Sequence, residues 1–146
     1  MNIKMLGLLL VCALAMAAPS QAGAPLILAQ PVAVGKMKAT TIHAQTGSMI
    51  LESIKIKPGG NFGWHTHGAP VAVVVTSGTL TVFDPTVGAC APFKVSRGQS
   101  FVEPANHVHL ARNDGKTPVK LYALYLGVPK PAAANLPASK PADCSA

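Results

Sequence analysis

The sequence predicts a single all-β domain, a sandwich or barrel, preceded by a secretory signal peptide. Two observations carry the fold class. Short runs rich in β-branched residues recur at close spacing and are separated by breaks containing Gly and Pro. Beyond the N-terminal apolar run, no segment keeps a long apolar rhythm of helical period. A third observation carries the signal peptide. Lys4 is followed by the apolar run Leu6–Ala18, then by Pro19-Ser20-Gln21-Ala22, with small residues three and one before a break. Residues 1–22 are read as the signal, with cleavage after Ala22. The run is too short and wrongly flanked for a membrane span. Cys12 lies mid-run and is read as a small apolar residue of the signal. Export places the protein in the periplasm or outside the cell.

Each element has its own local reason. Met49–Lys57 alternates, with Ile50, Glu52, Ile54 and Ile56 on one face, and the isoleucine-bearing face is expected to be buried. Pro58-Gly59-Gly60-Asn61 breaks this strand. Val71–Thr76 is a β-branched run, Ser77-Gly78 a tight turn, and Thr79–Phe83 the return strand of a hairpin. Asp84–Pro92 reads as a loop. Phe93–Val95, Gln99–Glu103, His107–Arg112 and Val119–Leu126 complete the strands, with a turn at Asn113-Asp114-Gly115-Lys116. The β domain is expected over residues 23–128. The remainder, 129–146, is dominated by Pro, Ala, Lys and Ser and is expected to pack little.

Charge excludes some partners. The chain has 12 Lys+Arg against 5 Asp+Glu, a formal net charge of +7. The basic residues are scattered, and aromatic residues are few, so neither a phosphate-tracking stripe nor a base-stacking surface is present. No nucleic-acid partner is expected. Cys90 and Cys144 remain after processing, and export places them where thiols pair. One intrachain connectivity is available, and it would pin the C-terminal tail to the loop holding Cys90. Free or intermolecularly paired thiols are the other reading.

The histidines carry the chemistry. Of the 5 in the chain, His65 and His67 form one i,i+2 pair, and His107 and His109 another. Residues i and i+2 of a strand share a face, so His65-Thr66-His67 can aim two imidazoles into one interior. A third imidazole from another strand would complete three neutral nitrogen donors, a set that suits zinc, iron, copper and nickel. Three protein ligands with positions left for water or substrate describe a reactive site. His43 alone carries no such pattern.

Gly59-Gly60-Asn61-Phe62-Gly63-Trp64-His65-Thr66-His67, continuing to Gly78, resembles the first sequence motif of the cupin superfamily. Gly98 to Asn113 is similar to the second, with Gly98, Pro104, His109 and Asn113 in register. The resemblance implies a single jelly-roll β-barrel of the small cupin type. It implies one divalent transition metal (Fe, Mn, Zn, Ni or Cu) on His65, His67 and His109. Two positions depart from the pattern. Val71 stands where the first motif has glutamate, and Asn106 where the second has glycine. Asn tolerates a positive φ, so that turn is expected to survive.

The missing carboxylate leaves three histidines, a pattern that resembles some cupin oxygenases, including thiol and diketone dioxygenases. The resemblance thus implies a small-molecule oxygenase, with a non-catalytic ligand- or metal-binding cupin as the other reading. Val71, Val73, Val75, Phe83, Phe101 and Leu110, or their strand neighbours, are expected to line the cavity. His107 and Glu103 are candidates to support the ligands from behind. Asn113 is expected to bond turn backbone. Cupins commonly pair through edge strands, which makes a homodimer the expected assembly.

Overall fold

The computed structural model describes residues 29–86, 90–130 and 134–144; residues 1–22, read as a signal peptide, with Cys12 among them, lie outside the described residues. Among the described residues every regular element is a strand: β1 Ser48–Ile56, β2 His65–Thr66, β3 Val71–Ser77, β4 Thr79–Phe83, β5 Phe93–Ser96, β6 Ser100–Glu103, β7 Leu110–Arg112, β8 Val119–Val128 and β9 Leu136–Pro137. The alternating and β-branched runs fold as their patterns require. The expected β3–β4 hairpin does not form: the chain turns at Ser77-Gly78, where Gly78 takes a φ of +74°, but β3 pairs with β6 and β8 while β4 crosses to the other sheet and pairs with β5 and β7. The stretch read as one strand over His107–Arg112 is regular only from Leu110, because Asn106, at φ +63°, turns the chain just before it.

The strands form two antiparallel layers. One sheet has the order β1-β8-β3-β6, and the other β5-β4-β7. Bridges Asn61–Arg112 and His65–His109 carry the second layer onto β2, which in turn pairs with β9. The core lies between the layers. Ile56, Val71, Val73, Val75, Val119, Leu121 and Ala123 face it from the first sheet, and Leu80, Val82, Val95 and Ala111 from the second. Val71, Val75 and Val119 are fully buried, each contributing about 1.5–3 kcal/mol relative to exposure. The core face of β1 is the isoleucine face, as its alternation predicts.

Two expectations are corrected. Phe83 and Leu110 point away from the barrel interior. They join Cys90, Cys144 and Trp64 in a small second cluster on the outer side of the β5-β4-β7 layer. All of Leu80–Phe83 is buried because both faces of β4 are covered. The tail also packs: Leu136–Pro137 adds a strand to β2, and Cys144 is 4% exposed. The physical reason is the same in both cases. A tail without its own core can still be ordered by strand addition and by a covalent tie. The sulfurs of Cys90 and Cys144 lie at disulfide distance, with their Cα atoms 5.2 Å apart.

Gly127 shows how closely the chain passes itself at the end of β8. Its φ is +88°, and a Cβ there would meet the Gln45 carbonyl oxygen at 1.9 Å. Only glycine fits such an approach.

Candidate metal centre

His65, His67 and His109 converge from two elements of the second layer. β2 supplies His65 and leads directly into His67. His109 precedes β7 and pairs with His65 through two backbone hydrogen bonds, of 3.0 and 2.9 Å. One ring nitrogen from each of the three lies within 4.8 Å of the others, and all three residues are buried. The ring centroids are 4.3 Å apart for His65–His109, 4.9 Å for His65–His67 and 5.0 Å for His67–His109.

Each ring is oriented by a main-chain carbonyl. The Nδ1–H of His65 donates to the Gly63 oxygen at 3.0 Å, that of His109 to the His107 oxygen at 3.0 Å, and that of His67 to the Ala134 oxygen at 2.6 Å. A carbonyl can only accept, so each Nδ1 carries the proton and each Nε2 presents a lone pair. Gly63, at φ +70°, lets the chain turn its carbonyl toward His65. Nε2 of His109 is buried and faces the Glu103 carboxylate at 3.3 Å, a long contact that leaves it without a well-aligned hydrogen bond. Such a lone pair calls for a cation, and the donor set fits a divalent transition ion.

Glu103 stands opposite. Its carboxylate oxygens lie 3.3 Å from His67 Nε2 and 3.3 Å from His109 Nε2. Its position follows from strand register. β3 pairs with β6 so that Val71 faces Glu103. The carboxylate absent from position 71 is thus replaced by one on the neighbouring strand, reaching the same corner of the barrel. The sequence offers Glu103 as a candidate partner of the ligands, but its place opposite Val71 comes from cross-strand register, which a single chain's motif does not carry.

The electrostatics follow. Burial, reinforced by its histidine neighbours, lowers the His65 pKa to about 4. Burial opposes ionisation of Glu103, but hydrogen bonds and charge from His109 and His67 outweigh it and bring its pKa down to about 2. Burial also acts against the His109 imidazolium, yet Glu103 overcomes it and leaves that pKa raised. The corner between Glu103 and the rings therefore holds positive charge, as a proton or as a metal ion. Tyr125 closes the wall. Burial, with the charges of Glu52 and Glu103, raises its pKa, and its hydroxyl donates to Glu52 at 3.2 Å.

The remaining candidates fall outside the cluster. His107 acts through its carbonyl on His109, while its own ring lies apart and its Nδ1 is buried without a partner. His43 is exposed. Asn113, 1% exposed, bonds turn backbone: its Nδ2 donates to the carbonyls of Ile56 and Thr117, and its Oδ1 accepts from Gly115 N–H. Beside the histidines lies a cavity of about 30 Å³, lined by Ile54, Phe62, Val73, Leu121, Tyr125 and Asn135, among others. Of the residues expected to line it, Val73 does. A wider cleft of about 490 Å³, lined among others by Lys36, Lys38, Phe93, Lys94 and Phe101, holds none of the clustered histidines. The chemistry sits in the smaller space.

Among curated protein sequences, none matches this chain. Solved structures of similar fold include an uncharacterised protein with a double-stranded β-helix domain from Klebsiella pneumoniae (20% identity, TM-score 0.52, covering 65% of this chain and 78% of that one). The polyketide cyclase RemF from Streptomyces resistomycificus is also similar (15% identity, TM-score 0.53, covering 67% and 66%). So is the DMSP lyase DddQ from Ruegeria pomeroyi (17% identity, TM-score 0.53, covering 63% and 44%). This chain thus spans less than half of that lyase. At these identities the likeness shows the fold alone. The family model for the cupin domain matches residues 53–125, half of the sequence, and that span encloses all three imidazoles and Glu103. With two facing antiparallel layers around a buried histidine cluster, the chain belongs to the cupin domain family.

Proposed function

We propose that this is an exported cupin that holds one divalent transition-metal ion on His65, His67 and His109, with Glu103 as a fourth, anionic donor. The supporting observation is the set of three buried rings, each donating Nδ1–H to a carbonyl and leaving its other nitrogen free. A carboxylate facing two lone pairs is unfavourable without a cation between them. Export is supported by the N-terminal sequence and by the Cys90–Cys144 pair, which is read as a disulfide. Among the described residues no helix is long and apolar enough to cross a membrane.

When bound, such an ion supplies Lewis-acid and redox chemistry. The chain's own contribution is to orient the imidazoles, hold a compensating negative charge and keep the site dry. The cavity of about 30 Å³ admits a water or a molecule of similar size. Organic ligands ordinarily occupy about 300–1,000 Å³. A small reactant such as dioxygen fits this space, whereas an organic substrate requires the walls to move. The same observation supports the second reading, a non-catalytic metal-binding cupin.

Elemental analysis of the folded protein after loading with Mn, Fe, Co, Ni, Cu or Zn tests the proposal. One equivalent of metal is expected, and it should be lost in His65→Ala and His109→Ala. A folded wild-type protein that retains no metal under any loading would overturn it. Oxygen consumption with small thiols, diketones and phenols then separates the catalytic reading from the binding one.

A further inference from the structure

Ala134–Ala138, the first part of the segment Ala134–Cys144, lies directly against the histidine cluster and the strand that carries it. The Ala134 carbonyl accepts the His67 Nδ1–H at 2.6 Å, a long-range contact across 67 positions of sequence. Leu136 and Pro137 stand opposite Thr66 and His65. Ala138 N–H donates to the Trp64 carbonyl at 2.9 Å. Asn135 lines the cavity beside the rings. At its far end Cys144 lies at disulfide distance from Cys90.

The three rings differ in how they are held. His65 and His109 each bond the carbonyl two residues before them, so β2 and the turn before β7 suffice. His67 alone of the three depends on a carbonyl from a distant segment. That segment has almost no core of its own: Leu136 is 39% exposed, and its composition is that of an unfolded chain. A two-residue strand with few hydrogen bonds does not offset the cost of ordering the backbone around it. A covalent tie at its far end shortens the search and raises its local concentration at β2.

Building on the metal-site reading, we infer that Ala134–Cys144 is a positioning strap. Its Ala134 carbonyl sets which nitrogen of His67 carries the proton, and the Cys90–Cys144 bridge holds it in place. Outer partners of this kind change metal affinity by about 10–100-fold when removed. Reduction opens the strap by a balanced exchange. An added dithiol gives up two electrons and two protons, the Cys90–Cys144 sulfur–sulfur bond breaks, two thiols form, and the dithiol closes to its own disulfide.

The test compares wild-type protein with a Cys90→Ala/Cys144→Ala double variant, and with wild type reduced and then alkylated while folded, in case the variant does not fold. In metal-free samples, nitrogen-15 spectra of the imidazoles report the proton position, and amide exchange reports Ala138. Opening the bridge should cost His67 its Nδ1–H preference and expose the Ala138 amide, while the His65 and His109 spectra stay as they were. The Co²⁺ dissociation constant should rise about tenfold or more. If His67 keeps its Nδ1–H and Ala138 its protection after the bridge is opened, the strap is refuted. If wild-type protein binds no Co²⁺ at all, the metal-site reading falls, and the metal-free spectra still decide the strap.

Discussion

Glu103 and His109 illustrate how a pair of side chains decides the state of a buried site. The His109 pKa is raised because the nearby carboxylate outweighs burial. Replacing Glu103 with Gln removes that charge and leaves burial opposed only by the His107 carbonyl and Asp84. The His109 pKa is therefore expected to fall, as a proton-NMR titration would show, and metal affinity should drop about 10–100-fold if the carboxylate is a donor. An unchanged His109 titration would show that the two groups are not coupled. His65 sets the acid response of the metal-free protein. Its pKa in the folded state, about 4, lies below the ordinary 6.5, so the unfolded chain binds the proton first as pH falls. Stability should decline from pH 6.5 to about 4, by roughly 2–3 kcal/mol. The Glu103 contribution, present above 4.5, is lost as pH falls toward about 2. His109 acts in the opposite window: its contribution is full below 6.5 and fades as pH rises through its raised value. Urea midpoints of metal-free protein across pH 4–8 check the sign.

Between the strands, register places the functional groups. Val71 lies opposite Glu103 on antiparallel partners, in a register unbroken from Val71–Glu103 to Val74–Ser100. The motif spacing anticipated the loss at position 71, but its remedy on β6 depends on a pairing seen only in the folded sheet. Asn113 ties two other elements together. It bonds the last carbonyl of β1 and the turn before β8 from a site that is 1% exposed. Asn113→Ala should leave these buried groups unpaired and cost about 2–4 kcal/mol, read as a lowered denaturant midpoint with the slope unchanged. The strands β3 and β4 and the Ser-Gly turn between them were legible because they are local signals, but their pairing was not: the turn carries the chain from one sheet to the other instead of closing a hairpin. The burial of Phe83 and Leu110 on the outer face was not legible either, since nothing near them in sequence says that the C-terminal end returns to cover that face.

At the scale of the β domain, the C-terminal segment returns to the barrel's outer wall, where Cys144 lies at disulfide distance from Cys90. Cys90 and Cys144 enclose 54 positions of sequence, and closing a loop of that length in the unfolded chain corresponds to about 4 kcal/mol. Thermal or urea unfolding with and without a dithiol should show a loss of about 2–4 kcal/mol on reduction. An equal midpoint in both conditions would mean that the bridge does not form in solution.

The linear order of residues was enough for the all-β class and the two histidine motifs, because each rests on short-range periodicity or fixed spacing; it offered Cys90 and Cys144 as a pair but left free thiols open, and the fold brings the two to disulfide distance. The sequence named Glu103 as a candidate without placing its carboxylate opposite the rings, and it gave no sign of the tail carbonyl on His67. Those contacts join positions far apart in the chain, and only the closing of the sheets brings them within hydrogen-bonding reach.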